Sequence, residues 1–180
     1  TAGSLGNKEV INAKIGLMLR VIALLALPSG IGIMAWAPQI ISLLYPAVEA
    51  EIAVNLLRIM GIAACFAGMT TPLTNMLQAI GKPNVPVKNI AVGAVIKIVV
   101  NFIFVGIPEI NIIGACIGTL ACYAYIAVAN IFCLVKYSNI KPNFVATILK
   151  PLTAALLCGA SAYGVNLLLS SVITSEKITT

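Results

Sequence analysis

The chain has 180 residues, of which 61% are hydrophobic and 9% charged. Soluble domains have roughly 45–50% apolar and about 25% charged residues, so the composition leaves a polytopic membrane protein. It contains no His and every acidic residue is a Glu, which excludes Ser-His-Asp chemistry, Asp dyads and His-based metal sites. The net charge of +6 does not signify nucleic acid, because the basic residues stand singly between apolar runs instead of clustering on a polar face. No cofactor, metal ion or catalytic residue is expected. The five cysteines all fall inside apolar runs without a CxxC pair and read as small buried packing residues.

In chain order, residues 1–16 form a polar entry segment with Lys8, Glu9 and Lys14 and no secretory signal pattern. The start lacks an initiator Met, which fits a segment of a longer protein or a processed one. A first span covers about 17–44, with Arg20 at its entry, Pro28 inside it, and Trp36 and Pro38 near its exit. At ~1.5 Å per residue this exceeds a hydrocarbon core of ~30 Å, which predicts a kink at Pro28 and a short interfacial turn after Pro38. Trp36 and Tyr45 then belong to the aromatic belt. A second span, about 52–80, carries Arg58 and a kink at Pro72. The third covers about 85–107. The fourth, about 112–136, opens with Gly114 and Gly118 spaced to let a neighbouring backbone approach. The fifth covers about 148–170, with small pairs Ala155/Gly159 and Ala160/Gly164, and residues 171–180 form an external tail. The fold class is thus an all-α membrane protein of about five transmembrane helices.

Most of the intramembrane polarity lies between Thr71 and Asn101. Thr71, Thr74, Asn75 and Gln78 fall on one helical face, and Asn89, Gly93, Lys97 and Asn101 follow at four-residue steps on the next span. Gly81, Pro83 and Pro86 force the chain to reverse between them, which predicts a hairpin with a polar inner seam. Lys97, close to the midplane by chain count, is the principal candidate for substrate binding, since a buried charge at that depth is costly. Thr71, Asn75, Gln78 and Asn101 are candidate neutral donors around it, with Thr71 expected at the depth of Lys97. Arg58 completes the set, although on an ideal helix it points more than about 100° away from the Thr71 stripe. Each candidate has a plain structural alternative. Lys97 can bond backbone carbonyls or Asn101, Arg58 can snorkel or pair with Glu49 or Glu51, and Thr, Asn and Gln side chains can join helices.

The charges between spans are asymmetric. Lys8, Lys14, Arg20, Lys82, Lys88, Lys136, Lys141 and Lys150 lie on one side; Lys177 lies on the other with Glu49, Glu51, Glu109 and Glu176. That imbalance predicts a cytoplasmic N-terminus and an external C-terminus.

Leu77-Gln78-Ala79-Ile80-Gly81-Lys82-Pro83, Val85-Pro86-Val87-Lys88-Asn89, Ile96-Lys97-Ile98, Asn101, Asn111-Ile112-Ile113-Gly114-Ala115 and Gly118-Thr119, in this order, resemble the C-terminal half of polysaccharide and lipid II flippases. These are the stage V sporulation protein B, MurJ-like and O-antigen exporter proteins of the multidrug/oligosaccharidyl-lipid/polysaccharide exporter superfamily. Leu27-Pro28-Ser29-Gly30 and Pro38-Gln39-Ile40-Ile41 resemble the preceding helix of the same family. The resemblance implies part of a two-lobed transporter in the bacterial cytoplasmic membrane. Such a protein flips a polyprenyl-pyrophosphate-linked saccharide by alternating access, with membrane lipids and the remaining helices of the parent transporter as partners. It transfers no binding role to a particular residue here. Two other functions compete: a drug or cation antiporter of the same superfamily, which would need an intramembrane carboxylate, and a non-transport membrane scaffold subunit packing through its small-residue faces.

Overall fold

The computed structural model describes residues 2–45, 50–107 and 110–138 and the single positions 153, 157, 159, 161 and 164; side chains are described from residue 15 onward, except at 50 and 111. The elements are α1 (Ala2–Ala35), α2 (Ala37–Leu44), α3 (Ala50–Ala79), α4 (Asn84–Val105) and α5 (Asn111–Ser138). Among the described residues every regular element is a helix. Four stretches, Ile15–Ala35, Glu51–Ala79, Asn84–Val105 and Ile112–Ser138, are long and apolar enough to cross a membrane. The fifth predicted span lies outside the described residues except at those single positions. One of them, Gly159, faces α1 so closely that an added Cβ would stand 2.7 Å from Ile31 Cγ2.

Proline placement decides where the first segment breaks. Pro28 is carried inside α1 and Pro72 inside α3. The interruption comes at Trp36, before Pro38, and no short turn follows that proline. Pro38 cannot donate to the preceding turn and its ring crowds the carbonyl four residues back, but its fixed φ suits the first turn of a new helix. It accordingly opens α2. Trp36 and Tyr45 are both exposed at the ends of this short helix.

Between membrane helices there is little hydrophobic driving force, so close packing through small residues carries the association. α1 and α3 cross where Gly30 meets Gly61 and Cys65. A Cβ on Gly30 would collide with Cys65 Sγ and stand 2.5 Å from the Gly61 carbonyl oxygen, and one on Gly61 would be 2.9 Å from the Gly30 carbonyl oxygen. Towards the α3–α4 turn the seam opens into a conventional core of Ile15, Leu19, Leu73, Met76, Leu77 and Leu134, flanked by Ile80 and Val85. This core draws together the start of the α1 span, the end of α3, the start of α4 and the end of α5.

The lateral order of the helices is α1, α3, α5, α4, with α2 lying on α3. α3 packs between α1 and α5, and α4 is held by α5 while barely touching α3. The expected hairpin therefore reverses direction without becoming a packed pair, because α5 stands beside both of its arms. Large apolar side chains such as Leu43, Ile98, Phe102 and Phe132 point outward, as they must where the surrounding medium is hydrocarbon.

Candidate functional site

The polar face of α4 is turned onto α5 over its whole length. The two helices run antiparallel, with Asn89 opposite Asn130, Gly93 against Cys122 and Ile126, Asn101 against Gly118, and Phe104 against Gly114. A Cβ on Gly93 would lie 2.6 Å from Ile126 Cγ1, and one on Gly114 would lie 2.7 Å from Phe104 Cβ. The Gly114 and Gly118 spacing thus receives the α4 backbone, the close approach that such spacing permits.

At one end of this seam lies a buried amide relay. Asn89 Nδ2 donates to Asn130 Oδ1 at 2.8 Å, and Asn130 Nδ2 donates to Thr74 Oγ1 at 3.3 Å. Asn89 Nδ2 also lies 3.9 Å from Cys133 Sγ. Asn130 is fully buried. One side chain therefore joins α3, α4 and α5 by groups that would each be expensive to leave unpaired. Sequence reasoning missed Asn130, although a lone Asn in the run Tyr125-Ile126-Ala127-Val128-Ala129-Asn130-Ile131 was the available signal.

Lys97 lies two turns further along α4, half-buried, and forms no hydrogen bond or ion pair among the described residues. Its backbone carbonyl and the Asn101 side chain both face Gly118. Asn101 Oδ1 is buried without a hydrogen-bond partner among the described residues. The Lys97 backbone and the Asn101 side chain therefore meet α5 at Gly118, in the α4–α5 seam.

The other candidates are elsewhere. Thr71, Asn75 and Gln78 are exposed on the flank of α3 away from its buried Thr70, Leu73 and Leu77. Thr74, expected in the same stripe, turns inward to Asn130. Lys97 stands on α4, which barely touches α3, so Thr71 and Lys97 belong to different helix surfaces. Asn75 borders a cleft of about 500 Å³ between α1 and α3, otherwise lined by apolar residues including Leu17, Val21, Ile22 and Pro72. Arg58 is exposed and makes no ion pair with Glu51, and Glu49 lies outside the described residues. Two polar surfaces result, one on the α4–α5 seam and one on the α3 flank. Among the described residues no group of His, Cys, Asp and Glu could hold a metal ion.

A family model of the lipid II flippase MurJ matches residues 3–179. The chain belongs to the MurJ family. No curated protein and no solved structure matches it. Membership in MurJ makes this a chain of a multi-pass membrane transporter, not an enzyme, with a role in flipping a lipid-linked saccharide. The four apolar helices are the part of that transporter in which the two polar surfaces are set.

Proposed function

We propose that the chain contributes to alternating-access flipping of a polyprenyl-pyrophosphate-linked saccharide, lipid II or a polysaccharide precursor, across the bacterial cytoplasmic membrane, with its N-terminus in the cytoplasm. The observation that carries this reading is Lys97, an ammonium group within the Asn84–Val105 span that is half-buried and unpaired among the described residues. A Lys or Arg at the centre of a membrane helix is disfavoured by roughly 2.5–3.5 kcal/mol on insertion scales. A pyrophosphate passing the membrane needs a cationic, hydrogen-bonding surface, and an unpaired ammonium supplies the charge. Asn101 adds an amide one turn away. Thr71, Asn75 and Gln78 offer hydroxyl and amide groups on the flank of α3, where hydrocarbon would leave them unsatisfied and a hydrated cavity would not. Arg58, nearer the opposite end of α3, serves as a second cation along the route.

In the full-length protein, Lys97→Met is expected to abolish rescue of a flippase-deficient strain while protein abundance is unchanged. Full rescue by Lys97→Met at normal abundance would remove the residue from the transport route.

A further inference from the structure

The end of the bundle where α3 turns into α4 carries cations whose counter-charges the described residues do not supply. α3 closes in a Schellman turn. Gly81 has φ 78°, its N–H donates to the Gln78 carbonyl at 2.9 Å, and the Lys82 N–H reaches back to the Leu77 carbonyl at 3.0 Å. Only a residue that tolerates positive φ fits this position, and the turn fixes the backbone from which Lys82 projects. The Lys82 ammonium lies 5.4 Å from the centre of the Tyr137 ring, in the last turn of α5, within cation–π range. Lys136 precedes Tyr137 in the chain, in the same last turn of α5. Both lysines are exposed, as is Tyr137. Among residues with described side chains the one acid is Glu51, at the far end of α3, and neither lysine forms an ion pair with it.

Depth and surroundings narrow what can bind here. The spans Glu51–Ala79 and Ile112–Ser138 end at this level, so Lys82, Lys136 and Tyr137 stand where hydrocarbon gives way to headgroups, the depth that tyrosine rings favour. On the membrane side the surface is apolar. Phe132, one turn before Lys136 on the same helical face, is 68% exposed, and Val87 of α4 is 63% exposed. A free anion has no use for that surface, whereas acyl chains do.

We infer that Lys82, Lys136 and Tyr137 form a site for the headgroup phosphate of an anionic glycerophospholipid, whose chains lie along Phe132 and Val87. Two ammonium groups and a phenolic O–H supply charge-assisted donors to the phosphate oxygens. Zwitterionic lipids share the phosphate but bring an ammonium that competes with the lysines. The site does not depend on Lys97 or on transport, only on the chain crossing a membrane.

The test is to reconstitute the chain in phosphatidylcholine vesicles containing spin-labelled phosphatidylglycerol or spin-labelled phosphatidylcholine, and to measure the motionally restricted lipid fraction by electron paramagnetic resonance. Labelled phosphatidylglycerol is expected to associate roughly fivefold or more strongly, the factor that one lysine near an anionic surface corresponds to. The double variant Lys82→Gln, Lys136→Gln should bring the two lipids to near parity; because both groups are exposed, its packing is preserved. Lys82→Arg should keep the preference, and Tyr137→Phe, which retains the ring, should lower it. Parity in the unmodified chain, an undiminished preference in the double variant, or displacement of the labelled lipid by millimolar inorganic phosphate would each overturn the assignment.

Discussion

Asn130 shows what one fully buried amide does between three helices. Its oxygen accepts from Asn89 and its nitrogen donates to Thr74, so removing it strands a group on each of two other helices. Asn130→Leu is expected to destabilise the chain by about 1–2 kcal/mol in reversible unfolding from mixed micelles. Asn89→Leu in that background should cost less than it does alone, by about 0.6 kcal/mol and at most about 1.7, the average and the maximum measured for interhelical hydrogen bonds in membranes. Strictly additive losses would mean that the Asn89–Asn130 bond contributes nothing. A second residue-scale test concerns Gly118, where a methyl group would collide with Asn101 Oδ1. That oxygen has no hydrogen-bond partner among the described residues. Gly118→Ala should destabilise by about 1–3 kcal/mol through overpacking, and Asn101→Ala should relieve much of that loss. No relief would show that the clash is taken up by the backbone and not by the amide.

At the scale of elements, α4 depends on α5 for almost all of its packing, and the sequence discloses this unevenly. The Gly114 and Gly118 spacing announced a close helix neighbour, because small residues at that interval leave a groove whatever fills it. The turn residues Gly81, Pro83 and Pro86 announced a reversal, but turn chemistry says nothing about which helix will lie beside which. The inner seam expected between α3 and α4 consequently appears between α4 and α5. Polar spacing was similarly ambiguous on α3. In a soluble helix the apolar stripe marks the inside, whereas in a membrane helix both faces are apolar and Thr71, Thr74, Asn75 and Gln78 carried no sign of direction. Only Thr74 turns inward, because only it meets the Asn130 amide. Lys97 was legible as an anomaly, since charge is conspicuous in such a run, but its separation from the Thr71 stripe follows from helix order, which no local pattern encodes.

Taken whole, the described helices place Arg20, Lys82, Lys88 and Lys136 at the end of the bundle gathered by Leu73, Leu77 and Leu134, with Glu51 at the opposite end of α3. The positive-inside rule counts Lys and Arg in short loops and near span ends, so this end is expected to face the cytoplasm. Asn84, the exposed first residue of α4, lies in the turn that reports it. In cells expressing a variant whose five cysteines are replaced by alanine, Asn84→Cys should resist a membrane-impermeant thiol reagent and become reactive once the membrane is opened. Tyr45→Cys, exposed at the end of α2, should react in intact cells. The pair makes the outcome decisive. Labelling of Asn84→Cys with protection of Tyr45→Cys would invert the topology and move the lysine-rich end, together with the lipid site on Lys82 and Lys136, to the outer leaflet.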